Sequence, residues 1–368
     1  AVNLGQGSVD EILQIVASSM LAVTTFSLTA MVTAYGSASR VATPRATQLL
    51  VADPTSQNVL STFIGAFVFS MVGIIAISTG YYGDQGQAIL FAGTLVVIVI
   101  VVVVLLRWIS HLGSFGRMSD IIDRVESAAQ RTTSQYANRP SLGARRQDPR
   151  TVTGASVRPE RAGYVTHIDL GRLEAVAEAR ELTIHVRALP GTVVDAASPL
   201  ALVAGTVDEE VRSKVANAFH IESHRSYDQD PRLGMIALSE IASRALSPST
   251  NDPGTAIDVL AALSRVFENM LQTEADDDTP YGHVTVEPVT LGDLVEDAFR
   301  PIARDGAGVV EVGIRLQKTL ASLADLAGPA RGRPFTDAAT DARARAKRVL
   351  SRSDAVALRR AASAAPRR

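Results

Sequence analysis

Three long apolar segments near the start of the chain constrain its fold more than any other feature. They cover residues 12–35, 59–79 and 87–109, each is 21–24 residues long, and none contains an ionised side chain before Arg107. About 20 helical residues cross the hydrocarbon core of a bilayer. We therefore predict a transmembrane region over residues 1–110 with three membrane-spanning helices, because buried helical hairpins rarely supply three such segments in succession.

The charges between these segments predict their orientation. Loop 36–58 carries two Arg and one Asp, whereas the short hairpin 80–86 carries one Asp and no basic residue. By the positive-inside rule, the loop and everything after the third segment are cytoplasmic, and Tyr81, Tyr82 and Trp108 suit the membrane interface. We expect a multi-pass protein of the bacterial inner (plasma) membrane.

The same rule puts the first residue outside the cell. That residue is Ala rather than Met, and no signal peptide is visible. We expect that upstream residues, with at least one further span, precede this sequence. Proteolysis and a disordered start are the alternatives.

The first span carries an unusual face of hydroxyl groups. Ser18, Thr25, Thr29 and Thr33 share this face at spacings of seven and four residues. Small hydroxyl residues allow close helix packing, and this interpretation is favoured because the span contains no charge. In an oligomer, the same face is a candidate pore lining.

The rest of the chain reads as an α+β cytoplasmic domain. We predict an amphipathic helix (114–131) and a basic linker within residues 111–162, then a small β-rich subdomain at 163–206. The β pattern resembles the β-sandwich-like hybrid folds of biotinyl and lipoyl carriers, without their attachment lysine motif. A helical subdomain at 207–330 and a basic, mobile tail at 331–368 complete the prediction.

Two polar motifs stand out in the predicted helical subdomain. Asp230–Pro231 and Asp252–Pro253 each place an acid at an N-cap and proline at the first helical position, which predicts helices 231–246 and 253–272. Capping does not require the neighbouring polar residues. A network that binds a ligand or joins subunits is therefore the alternative to a purely structural role. Its candidate members are Arg225, Tyr227, Asp228, Asp230, Thr250, Asn251 and Asp252.

The sequence contains no recognisable catalytic or metal site. It has no Cys, which excludes disulfides and thiolate chemistry. His220 and His224 flank Glu222 at helical spacing but lack the order of the zinc-protease motif, and we interpret His167 and His185 as surface or core residues. We expect no enzyme activity, no metal, no cofactor and no nucleic-acid partner.

Four segments resemble a known family. They are SSMLAVTTFSLTAMV (18–32), AGYVTHIDL (162–170), RSYDQDPRLGMIAL (225–238) and ALSPSTNDPGTA (245–256). Their order is similar to that of the bacterial "predicted membrane protein" family called domain of unknown function 2254, to about residue 327. The resemblance implies further membrane helices upstream of this segment. It implies no activity.

Two functions fit these observations. The first is a homo-oligomeric channel- or transporter-like pore, lined by the hydroxyl face and gated by the cytoplasmic domain. The alternative is a membrane-anchored scaffold or sensor that binds partner proteins or a small ligand without transport. In either case the bilayer is a partner. Two basic segments, with seven Arg in 127–162 and eleven Lys and Arg in the last 38 residues, favour contact with anionic lipids.

Overall fold

The structure is a computed structural model. It describes residues 6–51, 53–79, 84–146, 153–276 and 279–363. The chain forms two compact units, Ala1–Ile121 and Ile122–Arg368. The predicted interfacial residues Tyr81 and Tyr82, and part of the predicted basic linker (147–152), lie outside the described residues.

The first unit is a set of apolar helices. Its elements are α1 (Gln6–Val41), α2 (Pro44–Val51), α3 (Pro54–Ser78) and α4 (Asp84–Ser114). The stretches long and apolar enough to cross a membrane are Val9–Ala38, Pro44–Ser78 and Ala88–Gly113, with mean hydropathies of 1.8, 2.3 and 3.4. The prediction of three apolar helices near the start of the chain is confirmed.

One stripe of α1 forms the core of this unit. Leu13, Ala17, Met20, Ser27 and Met31 recur at intervals of three, four and seven residues, and each is at most 6% exposed. This spacing follows the helical repeat, so these residues share one face, which packs on α3 and α4. Large apolar side chains on the remaining faces are exposed, as expected for a surface that contacts lipid.

The second unit is an α+β region, as the sequence predicts, and begins within α5 (Met118–Asn138), which runs across the boundary between the units. The other helices are α6 (Leu170–Ala179), α7 (Glu209–Ala216), α8 (Pro231–Ala245), α9 (Pro253–Gln272), α10 (Leu291–Asp305), α11 (Val310–Arg331), α12 (Arg333–Lys347) and α13 (Arg352–Ser363). The strands are β1 (Ala144–Arg146), β2 (Ala155–Val157), β3 (Gly163–Ile168), β4 (Thr183–Val186), β5 (Val193–Val194), β6 (Ala201–Ala204), β7 (Phe219–Glu222) and β8 (Tyr281–Val286).

The strands form a five-stranded sheet in the order β1-β8-β4-β6-β2 and a three-stranded sheet in the order β5-β3-β7. At the centre of the larger sheet, β4 and β8 are parallel, with Ile184 opposite Val284 and Val186 opposite Val286. These four side chains belong to one buried core that also contains residues of the smaller sheet, such as Val165.

The β region extends beyond the range 163–206 predicted from the sequence. Strands β1, β2, β7 and β8 all lie outside that range. A local alternation pattern identifies a strand but not its partner, and β8 pairs with β4 across about a hundred residues of chain. Part of the predicted linker is also structured, because α5 continues to Asn138 and is followed by β1.

The basic segment 331–368, for which we expected a mobile tail, is helical through α12 and α13. Phe335 is fully buried and packs edge-on against Phe267, at a centroid distance of 5.3 Å. Phe267 in turn stacks on Phe299 of α10 at 5.5 Å. The segment has only weak helical periodicity, so the sequence pattern did not show that Phe335 attaches it to the core. This explains the difference from the prediction.

α5 and α8 cross at very short range. A Cβ atom built on Gly234 of α8 would lie 2.7 Å from the Cα atom of Ala129 in α5. Any side chain at residue 234 would therefore push the helices apart. This crossing fixes α5 against the helices of the second unit.

Candidate functional site

The motif 225–231 forms a turn that leads into α8, and a buried acid holds it in place. Asp230 is fully buried and caps α8, because its Oδ1 accepts hydrogen bonds from the amides of Arg232 (3.0 Å) and Leu233 (3.2 Å). Its Oδ2 accepts from Arg225 Nε at 2.7 Å and lies 2.6 Å from Arg225 Nη2. The predicted N-cap is thus confirmed.

Burial has the largest effect on the pKa of Asp230. Burial raises the pKa of the Asp230 carboxyl, while the Arg225 guanidinium and two backbone amides act in the opposite direction. Gly191, with φ of +89°, lies against both members of the pair, where a side chain would clash with them. The Arg225–Asp230 pair is therefore mostly shielded from solvent and holds the turn in place.

The next residues of the motif face the surface and bind the end of β3. Asp228 Oδ2 lies 2.7 Å from His167 Nδ1. Gln229 Oε1 accepts a hydrogen bond of 2.9 Å from the amide of Ile168. His167 also packs edge-on against His220 at 5.5 Å. Tyr227 lies half-buried in the same turn.

A pocket of about 360 Å³ opens beside this turn. Its walls come from the last two turns of α5, the junction of β3 and α6, the turn itself and the start of β8. Its polar lining residues include Gln135, Arg139, His167, Asp169 and Gln229. The volume falls in the range of small-molecule sites.

Two pocket side chains, one on α5 and one directly after it, are fixed by partners outside the pocket. Arg139 pairs with Asp276 at 2.8 Å. The buried hydroxyl of Tyr136 accepts a hydrogen bond from the amide of Val289, and burial raises the pKa of Tyr136 well above its ordinary value. The phenol is therefore neutral, and its ring forms an apolar part of the wall.

The second motif does not reach this pocket. Asp252 caps α9 by accepting hydrogen bonds from Thr255 N (3.1 Å) and Thr255 Oγ1 (2.6 Å), and the bonds from Thr255 lower the pKa of Asp252. Thr250 and Asn251 form the preceding turn, where Asn251 has φ of +48°. α8, which spans about 22 Å, separates the two motifs, so the structure does not join the seven candidate residues in one network.

The predicted hydroxyl face of α1 is exposed within the first unit. Ser18, Thr25, Thr29 and Thr33 each donate a hydrogen bond of 2.8–3.0 Å to the carbonyl oxygen four residues earlier. The hydroxyl groups are therefore satisfied by their own helix. They lie away from the buried stripe of α1.

Within the described residues, no group of three His, Cys, Asp or Glu side chains is placed to hold a metal ion. His185 is buried, its Nδ1 lies 2.8 Å from Thr285 Oγ1, and burial lowers its pKa.

Sequence reasoning missed the α5 wall of the pocket. Gln135, Tyr136 and Arg139 fell in the segment predicted as a polar linker. A usable signal was present, because Ala129, Thr132 and Tyr136 continue the helical spacing of buried residues beyond the predicted helix end.

Comparisons with known proteins place these features in context. A family model described as "Predicted membrane protein (DUF2254)" matches residues 1–322. The chain is 26% identical over 235 residues to the uncharacterized proteins Rv1290c of Mycobacterium tuberculosis and Mb1321c of Mycobacterium bovis. Each alignment covers 61% of this chain and 44% of the relative, so the chain spans less than half the length of these relatives. No solved structure matches the chain.

Proposed function

Because this chain belongs to the family of predicted membrane proteins called domain of unknown function 2254, we propose that it is a membrane-anchored sensor. Its second unit binds a small polar molecule in the pocket between α5 and the turn 225–231. The observation that carries this proposal is the pocket itself. The exposed part of the motif, Asp228 and Gln229, meets His167 beside it.

The lining suits a small ligand with both polar and flat apolar parts. Gln135 and Gln229 supply amide groups, which donate and accept hydrogen bonds. Tyr136 and Tyr281 supply ring surfaces. Asp169 uses Oδ1 to cap α6 by accepting from the amide of Arg172 at 2.9 Å. Its second carboxylate oxygen supplies a further acceptor.

The position of α5 supports signalling from this pocket. The helix starts at Met118 in the first unit, the unit boundary follows Ile121, and the pocket residues occupy its last two turns. A ligand bound there contacts a helix whose first four residues belong to the first unit. No catalytic group is needed for this function.

Ligand binding can be tested by filling the pocket. A Cβ atom at Gly171 would meet only Asp169 Oδ1, at 3.5 Å, so a side chain fits there. We expect that Gly171→Phe blocks the pocket and that the matched control Gly171→Ala leaves it open. The measurement is the melting temperature of the full chain in lipid nanodiscs, with and without adenosine, guanosine, glutamate, arginine, spermidine or citrate.

A bound ligand raises the melting temperature, because it binds the folded state only. We expect at least one of these compounds to do so in the wild type and in Gly171→Ala but not in Gly171→Phe. The proposal fails if none of these compounds has an effect, or if the effect persists in Gly171→Phe.

A homo-oligomeric pore is the second candidate, and one observation favours it. The hydroxyl stripe of α1 is exposed, so a symmetric ring of copies can turn it toward a common axis. Its hydroxyl groups are already bonded to their own helix, so the stripe does not require water, and we rank the pore second. Ion flux into liposomes that contain the full chain tests it.

The same proposal places the protein in the bacterial inner membrane with its second unit and basic segments on the cytoplasmic side. The charge distribution supports this orientation. Because the chain has no Cys, single cysteines give a clean test. A membrane-impermeant maleimide should label Gln85→Cys in intact cells and Ser249→Cys only after permeabilisation. The reverse pattern would invert the topology.

A further inference from the structure

A histidine and an aspartate meet at one end of the first unit. His111 Nε2, in the last turn of α4, lies 3.0 Å from Asp53 Oδ2, and the two side chains are 18% and 4% exposed. The same oxygen caps α3, because it accepts hydrogen bonds from Ser56 N (2.8 Å) and Ser56 Oγ (2.5 Å). Burying a titratable pair in an apolar helical region costs free energy, and ionisable residues in such regions mark functional sites.

Aromatic side chains extend this contact to α1. Trp108 stacks on His111 with ring centroids 5.6 Å apart, and the centroid of the Phe115 ring lies 5.2 Å from that of the imidazole. Trp108 donates a hydrogen bond of 2.9 Å to Ser27 Oγ in α1, and neither residue is more than 1% exposed. The cluster thus joins α1, α3 and α4.

We propose that His111 and Asp53 form a proton-responsive clasp that tightens the three membrane helices. An ionised carboxylate only accepts hydrogen bonds, so His111 Nε2 carries its hydrogen and Nδ1 gains the additional proton. The hydrogen bond to Asp53 then becomes an ion pair, which is shorter and stronger than the neutral bond. Histidine is the side chain whose ordinary pKa, about 6.5, permits this near neutral pH.

The neighbouring elements carry charged and titratable groups of both signs. Among them are Tyr35 on α1, Arg45 on α2, Asp53 before α3, Arg107 on α4, and Arg117 and Asp120 after α4. Tyr35 donates to Leu50 O at 3.3 Å, and Asp120 accepts from Gly116 N at 3.4 Å. Asp53 supplies a carboxylate within hydrogen-bonding distance of the imidazole.

The clasp lies directly before the helix that leads out of this unit. α4 ends at Ser114, and α5 starts at Met118. Proton uptake by His111 therefore acts on the segment that precedes α5. This inference does not depend on the ligand pocket, so either can fail alone.

The sole tryptophan of the chain provides the test. Protonated imidazole quenches indole fluorescence, and Trp108 stacks on His111. With this chain in nanodiscs, we expect fluorescence to fall in one transition as the pH is lowered from about 8.5 to about 5. His111→Gln should abolish the transition, and the control His283→Gln, in the second unit, should leave it unchanged.

Asp53→Asn decides the role of the pair, because asparagine retains the N-cap of α3. We expect it to change the midpoint of the transition by about one pH unit or more, because the substitution removes a charge adjacent to the imidazole. A flat wild-type titration, or an unchanged midpoint in Asp53→Asn, would overturn the proposal, even if His111→Gln fails to fold.

Discussion

Arg265 of α9 donates two hydrogen bonds to the carboxylate of Glu126 in α5, from Nε to Oε1 at 2.7 Å and from Nη2 to Oε2 at 2.5 Å. The Glu126 side chain is 10% exposed and that of Arg265 is 52% exposed. The carboxylate depends on this partner more than the guanidinium does, since the guanidinium retains access to water.

Removal of the partner should therefore destabilise the second unit. We expect Arg265→Met to lower the free energy of unfolding by about 1–3 kcal/mol, because it leaves a mostly buried carboxylate without its cation. The control Arg300→Ala, which removes an exposed pair with Glu296, should cost about 0.5 kcal/mol or less. Chemical denaturation of the full chain in detergent measures both. Equal losses of unfolding free energy in the two variants would contradict the expectation that the Glu126–Arg265 pair stabilises the second unit more than an exposed pair does.

The buried Asp230 should be far more sensitive than its neighbour Asp228. Asp230→Ala removes the cap of α8 and leaves Arg225 buried without a counter-charge, for which we expect a loss of about 3–5 kcal/mol. Asp230→Asn keeps the cap and should lose less. Asp228→Ala, at a side chain that is 59% exposed, should cost under about 1 kcal/mol. The order of melting temperatures checks the ranking, and a reversed order would contradict it.

His185 should make the fold sensitive to mild acid. Burial lowers its pKa, with Arg187 acting in the same direction, and its Nε2 has no hydrogen-bond partner in the described part of the chain. Below about pH 6.5 the unfolded chain binds a proton that the folded chain resists. Stability is complete above that pH and falls, by up to about 1.4 kcal/mol per pH unit, until the folded pKa is passed.

We expect His185→Leu to flatten the pH dependence of unfolding in this window, because leucine cannot titrate. The control His283→Gln, at an imidazole that is 48% exposed, should leave it unchanged. Unfolding curves collected across the window provide the comparison. An unaltered slope in His185→Leu would assign the acid sensitivity to other groups.

Thr29 distinguishes a pore from an anchor. Its side chain is exposed and bonded to its own helix, so Thr29→Leu should leave expression and melting temperature unchanged. If the hydroxyl face lines a pore, the substitution changes ion flux in liposomes at least several-fold, whereas Leu28→Val on the neighbouring exposed face does not. Identical flux for both variants would remove the support for the pore.

The features predicted well from the sequence are those set by neighbouring residues. An unbroken apolar run specifies a helix in lipid, because every backbone polar group must be satisfied within the segment. The Asp-Pro pairs likewise specify helix starts, and α8 and α9 begin at Pro231 and Pro253 as predicted. Capping acts over three residues, so local sequence is sufficient.

The pocket could not be predicted in this way. Tyr136, His167, Gln229 and Tyr281 come from four separate segments, and their proximity depends on pairings such as that of β8 with β4. Nothing in the local pattern of any one segment encodes these partners. The density of polar residues at 225–231 signalled a special region, yet it did not separate the buried Asp230 from the exposed Asp228.

The close crossing at Gly234 limits how α5 can move. Ala129 is seated against the backbone of α8, about 16 Å from the start of α5 and about 14 Å from its end. The two backbones cannot come closer at this point, because only hydrogen separates Gly234 from Ala129. Any displacement of the pocket end of α5 relative to α8 is therefore a tilt about Ala129 and not a translation toward α8.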